Sequence, residues 1–379
     1  MYEDALYGEF ELPGMVKVLT KTPEFLRLNC ISMDTLPARI VPYGVASRYE
    51  HGLGVLRLML DVIDNNRDTL SASQANLLIA AAPVHDMGNP ALSHLVEPFL
   101  WQMKRKNGES LLEDVLSGSA SAEAMELFGV PAAEVVSIVT GTMKPFSDVL
   151  HGSMDVDNLD NVLRYQFVSN GARTFDPRRI AGSYRFRNGR WELSLDCLEE
   201  VRKWQAARRE VYGAIYGDPH VALASMAYRA VELVFQDDAL PDEFFRFTDD
   251  EAFEFLSLND DARPLIEDLR AGRCYEEVAS VETVAPKNGL RYFADHEWNA
   301  RGMVAEYVAR RSGIPSSAVC AYCGKGRDTR RIDIPFVDAH GGEYRDDAPA
   351  EPIYRLKIFV HPEHADDRIV REYAYSLTA

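Results

Sequence analysis

An imidazole and a carboxylate side by side, His85-Asp86, sit at the centre of the stretch Pro83-Val84-His85-Asp86-Met87-Gly88-Asn89-Pro90-Ala91-Leu92-Ser93-His94. Both groups are ligands for a divalent transition metal. Neighbouring residues on a helix point about 100° apart. Both can still reach one ion that lies near the helix end, and Gly88 and Pro90 predict that the helix ends here. The pair alone is a common dipeptide. It gains meaning from two further stretches, Ser47-Arg48-Tyr49-Glu50-His51-Gly52-Leu53-Gly54-Val55 upstream and Met154-Asp155-Val156-Asp157-Asn158-Leu159-Asp160 downstream.

Taken in order, His51, His85-Asp86 and Asp157 resemble the ligand set of the HD superfamily of metal-dependent phosphohydrolases. The flanking words are similar to those of its deoxynucleotide triphosphohydrolase branch, which includes enzymes that join a SAM domain to the HD domain and bacterial dGTPases. That branch uses R-F-E-H-S-L-G-V, H-D-x-G-H-x-x-x-S-H and D-V-D-x-x-D. Here the words read R-Y-E-H-G-L-G-V, H-D-M-G-N-P-A-L-S-H and D-V-D-N-L-D. No SAM domain accompanies them. The resemblance implies a mainly α fold: an HD-domain helical core with a β-hairpin insertion and a small C-terminal α+β lobe.

His51, His85, Asp86 and Asp157 would supply two imidazoles and two carboxylates, leaving room for water and a substrate oxygen on a six-coordinate ion. Such an ion polarises a phosphoryl oxygen and lowers the pKa of water toward neutrality. Mn²⁺, Fe²⁺, Zn²⁺, Ni²⁺ and Mg²⁺ all fit, though the nitrogen ligands argue mildly against Mg²⁺. A dinuclear site would need more histidines between Asp86 and Asp157, where only His94 and His151 lie. His94 matches the family's S-H, near the metal without ligating it. His151 reads as a satisfied or surface histidine. One metal ion is expected.

The resemblance also names residues for substrate. Arg48 matches the arginine that holds phosphate; the alternative is a buried ion pair with Glu50 or another acid. Arg208 and Tyr216 match an arginine and a tyrosine that reach phosphate and sugar. Eight residues apart is a little over two turns, so both can face one cleft; a slip of one residue would choose Arg209.

Other family positions differ. Asn89 stands where the branch has a catalytic histidine, and an amide cannot exchange a proton near neutral pH. Gly108 before Glu109 replaces the histidine of an H-E pair. Asn158 and Asn161 replace a sugar-reading K-x-x-Y, and Tyr165 a later Asp. The metal shell is kept while the proton donor and part of the nucleoside pocket are not. A better leaving group, His94 or Glu109 as a substitute acid, or a different phosphoester would each fit. The expected activity is metal-dependent hydrolysis of a phosphate ester of a nucleotide, (d)NTP or (d)NMP. The alternatives are a catalytically degenerate homologue that binds a nucleotide to sense or regulate, and a mononuclear lyase or oxygenase on the same ligands.

Several elements must position these groups. Thr22-Pro23-Glu24 predicts a helix start, and the run from Thr22 to Leu28 resembles the T-P-x-F-Q-R-L helix of the branch. Lys21, Leu26 and Asn29 replace the regulatory contacts of the GTP-activated members, so GTP activation is not expected. Leu53, Leu56, Leu60 and Ile63 predict a helix over 51–64. Ser71 or Ser73 caps the next, which reaches His85. Helices are expected over 95–150, from Asp157, over 198–216 and over 221–234. Asn188-Gly189 within the alternating stretch 181–195 predicts a hairpin. The acidic stretch 236–281, Asp249-Asp250-Glu251 included, reads as solvated helix starts. Strand-like runs at 319–323, 331–336 and 354–360 place an α+β lobe in 286–379, after a core over 1–285. Cys320 and Cys323 with His361 and His364 could suggest zinc, but a strand sends i and i+3 to opposite faces and no zinc is expected there.

Composition narrows the class. The chain has 379 residues, is 46% hydrophobic and carries a net charge of -18. A duplex-binding protein needs a basic face, so nucleic acid is not an expected partner; a nucleotide or other phosphorylated small molecule is. Five scattered cysteines fit reduced thiols. With no apolar run of membrane length and no signal peptide at the start, a cytoplasmic protein with no membrane partner is expected, and the resemblance adds a homo-oligomer.

Overall fold

Ser47 caps the helix Arg48–Asp64 in the computed structural model, which describes residues 1–41, 44–236, 240–326, 330–346 and 352–378. The helix starts at Arg48, three residues before the expected start at His51, because Ser47 and Glu50 form a capping box, which satisfies otherwise unpaired N–H groups. His51 therefore stands one turn inside the helix, facing the core. Ser71, with Gln74, caps Ala72–Val84 in the same way, and this helix stops at His85. The chain is mainly helical, with small sheets at its edges.

Two glycines set how closely the ligand-bearing helices approach. A Cβ on Gly52 would stand 2.7 Å from the Pro83 carbonyl oxygen, and one on Gly54 would collide with Asp160 Oδ1 and Arg164 Nη2. The H-G-L-G word thus lets Arg48–Asp64 lie directly against Ala72–Val84 on one side and Val156–Asn170 on the other. Leu53, Val55, Leu56, Leu58, Met59 and Val62 are fully buried along the same helix.

Strands β1 (Tyr2–Asp4) and β2 (Gly8–Phe10) pair antiparallel at the start of the chain. The hairpin forms as expected: β3 (Tyr184–Arg187) and β4 (Arg190–Ser194) pair with Arg187 opposite Arg190. Asn188 and Gly189 both take positive φ, 49° and 75°, the two-residue turn that matches strand twist. In the C-terminal part, β5 (Glu276–Thr283), β6 (Val319–Lys325), β7 (Ile332–Val337), β8 (Glu343–Asp346) and β9 (Tyr354–Val360) follow.

These strands do not divide at residue 285. β5 precedes that boundary yet pairs with β9, the centre of the order β5-β9-β6. β7, read from sequence as part of the lobe, instead runs parallel to β4 and extends the hairpin sheet to β3-β4-β7-β8. Ile332, Ile334 and Phe336 alternate inward and pack in the core that holds Trp191 and Leu193, which explains their departure from the lobe. On the lobe sheet lie Glu297–Ser312 and Arg368–Thr378.

Candidate metal centre

His51, His85 and Asp157 converge so that one ligand atom from each lies within 4.8 Å of the others. Three elements deliver them. His51 comes from inside Arg48–Asp64, His85 from the end of Ala72–Val84, and Asp157 from the first turn of Val156–Asn170, whose N-cap is Asp155. His51 Nε2 is 3.0 Å from Asp157 Oδ1, and His85 Nε2 is 3.6 Å from the same oxygen.

Both imidazoles are turned the same way. His51 Nδ1 lies 2.7 Å from Asp160 Oδ2, and His85 Nδ1 lies 2.8 Å from the Ala82 carbonyl oxygen. Each acceptor fixes the proton on Nδ1 and leaves Nε2 with its lone pair. His85 Nε2 is buried and has no hydrogen-bond partner. His51 Nε2 meets Asp157 Oδ1 at 3.0 Å, and an unpartnered buried nitrogen beside that pair is the kind of donor set a cation would satisfy. The donor set therefore fits a divalent ion with nitrogen and oxygen ligands.

Without an ion the carboxylates favour a proton on each Nε2, which a bound cation would displace. Burial opposes a charged imidazole, but Asp86 and Asp157 outweigh it and push His85 up to about 10. His51 is raised as well, burial being overcome by Asp157 and Asp160. Burial alone would lift Asp157, yet the two imidazoles hold it well below the usual carboxylate range.

Asp86 is placed differently from the other three. Its Oδ2 is 3.7 Å from His51 Nε2 and 3.5 Å from His85 Nε2, close enough to share their centre. The same oxygen receives Arg48 Nη1 at 2.6 Å, and Oδ1 receives Asn89 Nδ2 at 2.7 Å. Asp86 thus ties the cluster to Arg48 and Asn89. Arg48 pairs with Asp86 rather than with Glu50, which is used in the helix cap. Arg48 Nε stays buried and unpartnered among the described residues.

His94 is outside the cluster, with its side chain 64% exposed and Nδ1 3.1 Å from Glu97 Oε2. Glu97 Oε1 accepts the Gly108 N–H at 3.1 Å. Glu97 raises His94, while burial of Glu97 is outweighed by His94 and the Gly108 N–H, so that Glu97 falls to about 2. Gly108 abuts Asn89, since a Cβ there would collide with Asn89 Oδ1. Asn89 and Gly108, the two positions where the resemblance would place histidines, are therefore neighbours. Glu109 faces His151 at 3.4 Å, and this ion pair, not the cluster, is its partner.

Arg208 is buried and stacks over the Tyr212 ring at 4.0 Å, whereas Arg209 is exposed. Tyr216 caps the same helix and turns toward the lobe, 5.8 Å from the Tyr322 ring, with Arg355 over it at 4.6 Å. Asn161 lies half-buried on Val156–Asn170. Lys21, Leu26 and Asn29 are all exposed. Cys320 and Cys323 are buried free thiols on β6, and His361 accepts the Glu363 N–H at the start of a short helix.

Sequence reading missed four positioning groups. Asp160 is fully buried, holds His51, and is held in turn by Arg164 and by the Tyr7 hydroxyl. Arg164 also reaches Asp4 at 3.0 Å on β1. Glu97 orients His94, and Asp249 is buried rather than solvated. The i, i+3 spacing of Asp157 and Asp160, and of His94 and Glu97, was the available signal.

The fold is shared with solved structures across nearly the whole chain. A hypothetical protein from Aquifex aeolicus matches with a TM-score of 0.76 at 18% identity, covering 98% of both chains. A phosphohydrolase from Bacteroides thetaiotaomicron matches with a TM-score of 0.71 at 16% identity, covering 94% of this chain and 98% of that one. In sequence, YwfO of Bacillus subtilis, an uncharacterized protein, is 27% identical over 227 residues, 57% of this chain and 52% of its own. A deoxynucleoside triphosphate triphosphohydrolase homolog from Dictyostelium discoideum is 22% identical over 194 residues, 47% of this chain and 38% of its own. The chain thus spans about half the length, or less, of these curated relatives. No family model matches it. No helix of the described residues is long and apolar enough to cross a membrane.

Proposed function

We propose that the chain is an HD-type metal-dependent phosphohydrolase acting on the phosphate ester of a nucleotide. The observation that carries this reading is His85 Nε2, buried, unpartnered and aimed at His51 and Asp157. The likeness in fold to a phosphohydrolase and in sequence to a triphosphohydrolase homolog supports the class.

His51, His85 and Asp157 would hold one divalent ion, with Asp86 as the fourth candidate ligand. When bound, the ion polarises a phosphoryl oxygen and acidifies water. Arg48 keeps Asp86 on one nitrogen and offers its remaining donors to a phosphate oxygen. Arg208, backed by Tyr212, would hold a second phosphate oxygen, and Tyr216 would line the sugar side near the lobe. His94, oriented through Nδ1 by Glu97, presents Nε2 as the proton donor to a leaving oxygen. Glu109, paired with His151, is the weaker candidate for that role.

Asn89 favours a second reading. Its amide is tied to Asp86 and cannot move a proton, so a chain that binds a nucleotide without turning it over would look the same at this position. Both readings are tested by incubating the full chain with nucleotides and Mn²⁺, Fe²⁺ or Mg²⁺ and identifying the phosphate species released. Phosphate release that needs added metal is the expected result. Tight nucleotide binding with no release under any metal would favour the second reading, and neither binding nor release would remove both.

A further inference from the structure

Leu92 and Ser93 both take left-handed backbone conformations, φ 60° and 49°, although neither is glycine and both side chains are buried. Non-glycine residues hold such conformations only where their surroundings over-determine them. The determinant here is a closed ring of hydrogen bonds. Leu92 N–H donates to Asp249 Oδ1 at 2.8 Å, and Ser32 N–H donates to Asp249 Oδ2 at 2.8 Å. The ring closes where Ser93 Oγ donates to the Ser32 carbonyl oxygen at 3.1 Å.

Asp249 is the first residue of Asp249–Leu256, far in sequence from both partners, and is 3% exposed. The preceding segment grips the same loop. Arg27 donates to the Asn89 carbonyl oxygen at 3.0 Å and to those of Arg246 and Phe247 at 2.9 and 2.8 Å. The loop that leaves His85-Asp86 is therefore fastened at Asn89 and Leu92, and His94 lies two residues beyond Leu92.

We propose that Asp249 is a positioning residue: its carboxylate, bridging Leu92 and Ser32, fixes the turn that sets His94 against Glu97. Only an ionised carboxylate can accept both N–H groups with equal oxygens; an amide would turn a donor toward one of them. Burial pushes Asp249 up to about 6, the two N–H groups working against that shift, so near neutral pH the double acceptor is retained in the folded chain. The kinetic part of the test rests on the phosphohydrolase reading; the spectroscopic part does not.

The test compares wild type with Asp249→Asn in the full chain carrying isotope-labelled histidine, the His94 ring signal being assigned by its loss in His94→Gln. Positioning predicts that Asp249→Asn moves the His94 signal and brings its titration back toward that of a free imidazole, while metal content is kept. With a deoxynucleoside triphosphate as probe, turnover should fall about 10- to 100-fold, the scale of a misplaced catalytic group, with KM within about twofold. Ser93→Ala opens the ring at another bond and carries the same test if Asp249→Asn does not fold. The two changes combined should be less than additive, since both break one ring. An unaltered His94 signal in a folded Asp249→Asn or Ser93→Ala chain would overturn the proposal. If wild type turns over no nucleotide, the His94 signal alone decides it.

Discussion

His51 Nδ1 and Asp160 Oδ2 meet at 2.7 Å with both side chains at 0% exposure. A buried carboxylate behind a candidate ligand histidine fixes its tautomer and increases its basicity. The chain continues outward, because Arg164 grips both Asp160 oxygens and reaches Asp4. Asp4 and the Tyr7 hydroxyl thereby connect the N-terminal hairpin to the candidate metal centre.

Asp160→Asn should lower metal affinity by about 10- to 100-fold. It should also destabilise the fold by roughly 3–5 kcal/mol, because Arg164 loses one of its two buried partners. Gly54→Ala forces a methyl against the same pair and should cost about 1–3 kcal/mol. Metal titration and denaturant melts check both; wild-type affinity in Asp160→Asn would show that His51 needs no orienting partner.

A second prediction concerns pH. His94 is raised above its ordinary value by Glu97, and Glu97 stays ionised down to about 2. If protonated His94 donates to the leaving group, turnover is present at and below neutrality and falls as pH rises through the raised His94 value. His94→Gln should abolish that alkaline limb. A profile of the variant that keeps the limb would assign it to another group.

Asn89 gives the third. General acid-base assistance is typically worth about 10²–10⁴ in rate, so unless His94 has taken the role, wild type should be slow on ordinary dNTPs. Asn89→His should raise dNTP hydrolysis if the site has drifted from a triphosphohydrolase. Gly108→His alone should fail, since its Cβ would collide with Asn89. The comparison is made by tripolyphosphate release. Wild-type rates matching those of efficient triphosphohydrolases would show that Asn89 does not limit the chemistry.

Regulation gives the fourth. Lys21, Leu26 and Asn29 sit exposed on and beside the first helices, and the resemblance drawn from sequence implies that they lack the regulatory contacts of its GTP-activated members. Activity or nucleotide binding should need no GTP. A large stimulation by GTP, measured at fixed substrate, would contradict this.

The parts legible in sequence were those with local chemistry. Ser71 and Asn188-Gly189 announce a cap and a turn through their own side chains and dihedrals, and each forms. The Ser47 cap is not read from sequence, and the helix it starts is expected only from His51. The three words carrying His51, His85-Asp86 and Asp157 come together in space. What was illegible depends on partners far along the chain. Arg48 could not be assigned to Asp86 over Glu50 without knowing that Glu50 closes a cap. Asp249 looked like a solvated helix start because its two amide partners lie 157 and 217 residues away. β7 looked like part of the lobe because alternation shows which face is buried and not which sheet it joins.

The most direct test of the metal centre is elemental analysis of the purified full chain, beside His85→Ala and Asp157→Ala. The expected result is about one divalent ion per wild-type chain, retained through dialysis and lost in both variants. Two tightly held ions per chain, or an ion retained when His85 and Asp157 are each removed, would contradict a single centre built on His51, His85 and Asp157.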